Sequence, residues 1–271
     1  MTPQGTSAVC ARFRELHKAG CFVIPNPWDL GSAKVLVQLG FKAVATTSCG
    51  LAWTLGIRDH AVTLDQKLAH LRDMTAAVPV PVNADFEKGF AVAPADVAAN
   101  VTAAAATGIA GLSIEDSTGD PSNPLFDLSL AVESIRAARE ALDKTGTGVL
   151  LTGRSEGFLV GRPDLAETIR RLKAYAEAGA ECLYAPGLRT VAEITAVVEA
   201  VAPKPVNALI GSDVATVEEL ARIGVRRISV GGALARAAWT GFLQAATEIA
   251  EHGTFAALGR AATFPEINTK F

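Results

Sequence analysis

Short apolar, β-branched runs recur along the chain, each followed by a loop and then by a stretch with apolar residues at helical spacing. The runs are Phe22–Asn26, Ala43–Thr47, Val80–Asp85, Gly111–Glu115, Val149–Arg154, Cys182–Ala185, Val206–Leu209 and Arg227–Val230. Strands separated by helices of ten or more residues need crossover connections, which makes the sheet parallel. Eight such units predict an α/β fold of the (β/α)8 TIM-barrel type, where six or seven would predict an open doubly wound sheet. No Pro-, Gly- or Ser-rich linker divides the chain, so residues 1-271 read as a single domain.

The helix boundaries are marked by cap residues. Pro94–Thr107 has proline in its first turn and stops at Gly108. Arg162-Pro163-Asp164 opens a helix with Leu165, Ile169, Leu172 and Tyr175 on one face, ended by Gly179. Asp213-Val214-Ala215-Thr216 is expected to open a short helix that Gly224 closes. A helix over residues 7-19 precedes the first strand and is placed to plug the barrel bottom. A helical extension spans 233-271 and begins with an Ala- and Leu-rich helix, Ala233–Ala250. Its apolar surface exceeds what one protomer needs, which suggests a subunit contact, with ordinary packing onto the barrel as the alternative.

Composition narrows the function classes. Hydrophobic residues make up 49% and charged residues 20%, enough for a large core and against wholesale disorder. The net charge of −3, without clustered Lys and Arg, argues against a nucleic-acid partner. No run is long and apolar enough for a bilayer, and no signal-type block follows Arg12 and Arg14. The four cysteines form no C-x-x-C pair, so reduced thiols in a cytoplasmic protein are expected.

In such a barrel the chemistry collects at the C-terminal strand ends. Asn83 and Asp85, two apart on the third strand, project together, and Glu115 ends the next strand, with Glu87 and Asp116 close by. Convergent oxygen donors without His or Cys suit a hard cation, Mg²⁺ with Mn²⁺ as substitute, and argue against zinc. The alternative is that these acids cap helices or pair with Arg154. Arg154, at the end of the fifth strand, is placed to clamp a substrate carboxylate, and an ion pair to Glu156 or Glu115 can coexist with that role. Ser48, Cys49 and Gly50 form an expected loop whose amides can meet an anionic oxygen. No lysine ends a strand, which disfavours a Schiff-base aldolase. Gly211-Ser212 and Gly231-Gly232 leave open a phosphate-binding barrel isomerase or synthase.

Six segments in order carry a resemblance: Pro25-Asn26-Pro27-Trp28-Asp29, Thr47-Ser48-Cys49-Gly50, Leu55-Gly56-Ile57-Arg58-Asp59, Asn83-Ala84-Asp85, Ile114-Glu115-Asp116 and Gly153-Arg154-Ser155-Glu156. Together, from about Phe13 to Ala238, they resemble the isocitrate lyase / phosphoenolpyruvate mutase superfamily. The resemblance implies a Mg²⁺-dependent enzyme that breaks or forms a C–C or P–C bond beside the carboxylate of a small 2-oxo or 2-hydroxy acid, through an enolate. By position, it implies Asp85, Asn83 and Glu115 around the metal, where the strand-end reading adds Glu87, Arg154 on the substrate carboxylate, and Thr47, Ser48 and Cys49 at the substrate's other end. Asp59 is implied near the reacting bond, and Asn123 and Asn207 complete the expected substrate contacts. A C-terminal helix swapped between partners in a dimer of dimers is implied as well.

Two departures shape the expected reaction. The segment Asp116-Ser117-Thr118-Gly119-Asp120-Pro121-Ser122-Asn123-Pro124 lacks the Lys-Lys-Cys-Gly-His of isocitrate-type lyases and the lysine and serine of the phosphonate enzymes. Decarboxylation or cleavage of an oxaloacetate-like acid is therefore favoured over isocitrate cleavage. Phosphonopyruvate or carboxyphosphonoenolpyruvate chemistry is the rival within the superfamily, and a non-catalytic 2-oxo acid binding protein is the rival outside it.

Overall fold

The computed structural model describes residues 3-271, with side chains from residue 7 onward, so the first two positions of the expected 1-271 domain lie outside the described residues. All eight expected strands form: β1 (Phe22–Ile24), β2 (Val44–Ala45), β3 (Val82–Asp85), β4 (Gly111–Glu115), β5 (Leu150–Arg154), β6 (Cys182–Tyr184), β7 (Val206–Leu209) and β8 (Arg227–Ser229). They pair in parallel in the order β1-β8-β7-β6-β5-β4-β3-β2. Between β1 and β2 the Ala45 amide donates to the Pro25 carbonyl at 3.0 Å, which draws the sheet round into a (β/α)8 barrel.

The crossover helices are α2 (Leu30–Gln38), α3 (Ser48–Thr54), α4 (Leu64–Ala77), α5 (Pro94–Ala105), α6 (Leu128–Thr145), α7 (Leu165–Glu177), α8 (Val191–Val201) and α9 (Val217–Arg222). Reciprocal side-chain caps start α2, α4, α8 and α9, which satisfies amides that have no partner within the helix. Two expectations need correction. The ninth helix does not open at Asp213: Thr216 caps it, taking the Glu219 amide at 3.2 Å, and Asp213–Ala215 lie outside it. Ser48-Cys49-Gly50 is the first turn of α3 rather than a loop, entered through the extended Thr47.

Strand alternation gives this barrel a polar lumen. On β3, β4, β5 and β8 the inward positions include Asn83, Asp85, Ser113, Thr152, Arg154, Arg227 and Ser229, while Ala84, Leu112, Ile114, Leu151 and Ile228 pack under the helices. The bottom is closed by α1 (Pro3–Leu16), whose Phe13 is fully buried. A Cβ on Gly111 would stand 2.6 Å from the Phe13 ring, so only glycine lets the plug seat there. Beyond the barrel lie α10 (Ala233–His252) and α11 (Phe264–Asn268). Ala235 is the one buried residue of α10, while Phe242 is 59% and Phe264 80% exposed. Among the described residues no helix is long and apolar enough to cross a membrane.

Candidate active site

A cavity of about 200 Å³ opens among the C-terminal strand ends and continues down into the polar lumen. Arg154 organises its upper part. Its Nη1 lies 3.2 Å from Asp85 Oδ1 and 3.3 Å from Glu115 Oε2, and its Nε donates to Glu156 Oε1. The guanidinium also stacks over the Tyr184 ring, 5.1 Å from its centroid. Three carboxylates from three neighbouring strand ends thus share one cation. Both ion pairs weighed for Arg154 from the sequence are present.

The electrostatics of these acids differ. Burial pushes the Asp85 carboxyl up, but Arg154, Lys67 and the Ser48 amide outweigh it and hold Asp85 below its usual range. Burial drives Glu115 well above the usual carboxylate range, with Arg154 opposing and Glu156 and Asp85 adding to the rise. Glu156 is raised by burial too, against Arg154. Asp116 stands behind this group as a support: its Oδ1 accepts the Glu156 amide at 2.7 Å, and its Oδ2 accepts from Tyr175 at 2.6 Å and Arg171 at 3.1 Å.

Of the residues expected from sequence, Thr47, Ser48, Cys49, Asp59, Asn83, Asp85, Arg154 and Asn207 line the cavity. Glu115 meets it through Arg154. Three others stand elsewhere. Gly50 packs away from the cavity, and a Cβ there would meet Thr47 at 2.6 Å and Trp28 at 2.7 Å. Glu87, in the left-handed region at φ 49°, turns its Oε2 to within 3.4 Å of His60 Nδ1. Asn123 is outside because its loop folds on itself: Asp120 Oδ1 accepts the Ser122 amide at 2.8 Å, Thr118 donates to the Asn123 carbonyl, and Lys88 Nζ holds the Thr118 carbonyl.

Sequence reasoning missed four groups. His60 forms that pair with Glu87, and the hydrogen bond raises it to about 9 despite burial. Tyr184 lay unmarked inside an expected strand. Lys67 is fully buried on α4, its Nζ without a hydrogen-bond partner, and burial lowers its pKa. The signal for it was present, since Leu64, Lys67, Leu68 and Leu71 fall at helical spacing and place Lys67 on the apolar face. Arg227, read only as the start of a strand, lies in the cavity floor.

Comparison with known proteins finds relatives over most of the chain. A solved Burkholderia cenocepacia J2315 protein, provisionally named a lyase/mutase, superposes with a TM-score of 0.94 at 46% identity, covering 98% of this chain and 96% of that one. The 2-methylisocitrate lyase of Escherichia coli K12 is 32% identical over 65% of this chain and 61% of its own. An oxaloacetate decarboxylase of Pseudomonas aeruginosa is 29% identical over 94% of this chain and 92% of its own. With residues 13–250 matching the phosphoenolpyruvate phosphomutase family, and with the strand-end acids and Arg154 gathered on one barrel face, the chain belongs to that family.

Proposed function

We propose that the protein is a Mg²⁺-dependent lyase-like enzyme that breaks a C–C bond, by cleavage or decarboxylation, beside the carboxylate of a small 2-oxo or 2-hydroxy acid. The observation that carries this reading is the convergence of Asp85, Glu115 and Glu156 on Arg154 at the head of the cavity. The lyase and decarboxylase relatives support the same class of reaction.

The donor set fits Mg²⁺. Among the described residues no group of three or more His, Cys, Asp and Glu side chains is arranged to hold an ion by itself. Mg²⁺ needs only one or two carboxylates, because it keeps several waters and takes oxygens from the substrate. Asp85 and Glu115 would supply the carboxylates, and the buried Asn83 Oδ1 beside Asp85 on β3 has no hydrogen-bond partner. When bound, the metal supplies Lewis-acid stabilisation of charge developing on a substrate oxygen.

The chain's own groups do the rest. Arg154 exchanges one of its acidic partners for the substrate carboxylate, which a planar guanidinium can bind through two hydrogen bonds. The Ser48 amide is already taken by Asp85 Oδ2 at 2.9 Å, so the Cys49 amide is the one left to face a developing oxyanion. Asp59 on the cavity wall exchanges the proton at the enolate carbon. The loop of residues 117-126 brings no acid to a departing fragment. Loss of CO₂ needs none, since CO₂ leaves without a proton.

A substrate panel tests this reading. Oxaloacetate-like acids are expected to turn over faster than isocitrate, methylisocitrate or phosphonopyruvate. Chelation should abolish turnover, and Mg²⁺ or Mn²⁺ should restore it. Faster turnover of phosphonopyruvate would establish P–C chemistry instead, and binding of 2-oxo acids without consumption would establish a binding protein. The exposed apolar α10 and α11 support a dimer of dimers with a swapped helix, and the unpaired cysteines support a cytoplasmic location.

A further inference from the structure

The floor of the same cavity holds a charge that the proposed chemistry does not use. Arg227, at the start of β8, is 3% exposed, yet its recorded partners are all neutral. Its Nε donates to Asn207 Oδ1 at 2.9 Å, its Nη2 donates to Thr152 Oγ1 at 3.1 Å, and its Nη1 lies 3.4 Å from His17 Nε2. Burial, with Arg227 adding to it, lowers His17 to about 3, so the imidazole is uncharged and accepts. A guanidinium has five N–H donors, and these contacts leave some of them unused.

The contrast with Arg154 is what matters. One cavity holds an upper arginine with three carboxylates and a lower one with none. A buried cation without a counter-charge is costly unless a ligand supplies one. The floor around it is polar and brings no acid, since Asn83, Ser113, Asn207 and Ser229 are all more than nine-tenths buried and line the cavity. The Asn207 amide is oriented by its Nδ2, which donates to Ser229 Oγ at 2.9 Å, so that its oxygen steadies Arg227 from the side. Arg227 Nη2 meets Thr152 Oγ1, and Thr152 lies two residues below Arg154 on β5, a drop of about 6.6 Å at the usual rise per residue. That drop matches the oxygen-to-oxygen reach of an extended four-carbon diacid.

We propose that Arg227 binds the second carboxylate of a dicarboxylic substrate whose first carboxylate lies at Arg154. This rests on reading the cavity as a site for 2-oxo or 2-hydroxy acids, and it makes Arg227 the residue that selects diacids over monoacids.

Calorimetric binding of malate and 2-hydroxybutyrate in excess Mg²⁺ tests it, because the two ligands have equal carbon chains and differ by one carboxylate. The wild-type protein should bind malate at least tenfold more tightly, and equal affinities would overturn the proposal. Arg227→Gln should bring malate to within threefold of 2-hydroxybutyrate while leaving the latter's own affinity within threefold of wild type. A variant that keeps the tenfold preference would show that Arg227 only braces the core. Arg227→Lys retains the buried charge and covers the case in which glutamine prevents folding. It should cut the preference at least threefold, because an ammonium lacks the planar fork, and an unchanged preference would count against the proposal. Neither comparison needs turnover, so a protein that consumes no acid yet prefers malate would refute the lyase reading and leave this one standing.

Discussion

The Ser48 amide donates to Oδ2 of Asp85 at 2.9 Å, tying the first turn of α3 to the end of β3. Asp85 is thereby held from two sides, by a helix-terminal amide and by Arg154 at 3.2 Å from its other oxygen. Both contacts favour the ionised form, and together they keep a half-buried carboxylate charged at the cavity wall.

Arg154 is the common partner of this group, so its loss should be felt most. Arg154→Ala should lower kcat/KM by at least ~30-fold, about 2 kcal/mol of transition-state stabilisation, the scale of a lost hydrogen bond to a charged group. Arg154→Lys should rescue little, because an ammonium cannot serve Glu156, Glu115 and Asp85 while stacking on Tyr184. Steady-state kinetics on oxaloacetate reads both variants, and near-wild-type activity in Arg154→Ala would remove it from the mechanism.

His60 gives the fold a pH signature. Its pKa is raised from 6.5 to about 9, first by the hydrogen bond to Glu87, with burial opposing and Asp59 and Glu115 adding. A raised histidine contributes stability that is fully present below the unfolded value and is lost as pH rises through the folded one. His60→Gln should therefore lower Tm most near pH ~6, and the gap to wild type should close by about pH 10. Thermal unfolding across that range checks it, and a gap that widened with pH would contradict the pairing.

Tyr175 supports the site from outside the lumen. Its hydroxyl donates to the buried Asp116 Oδ2 at 2.6 Å, and Asp116 in turn holds the Glu156 amide. Tyr175→Phe should cost about 1–3 kcal/mol of stability, the range for a buried acceptor that loses a donor. Denaturant unfolding measures this directly. A loss below about 0.5 kcal/mol would mean that Arg171 alone satisfies the carboxylate.

The C-terminal helices should be buried in solution by other copies. Light scattering should give a mass near four times 28.1 kDa, falling to two times 28.1 kDa on dilution. Phe242→Glu, placing a charge on the exposed face of α10, should shift the protein toward smaller species. A stable wild-type monomer at micromolar concentration would sink the helix-swap reading.

Much of this protein is legible in its sequence because periodicity is a local property. Eight apolar runs separated by helical stretches suffice for a parallel barrel, and two-residue alternation puts Asn83 with Asp85 and Thr152 with Arg154 on the lumen side. The strand-end acids and Arg154 could be named for the same reason. Other placements depend on contacts between distant segments. Asn123 is drawn away by hydrogen bonds within its own loop, and Glu87 is turned toward His60 on the crossover from the neighbouring strand β2. Gly50 reads as a loop residue but is required by the approach of Trp28. Arg227 looks like an ordinary strand start until the closed barrel sets it against Thr152, Asn207 and His17, from three other parts of the chain. Whether a charge is paired or solitary depends on what folding brings within a few ångströms, and only the tertiary structure decided that.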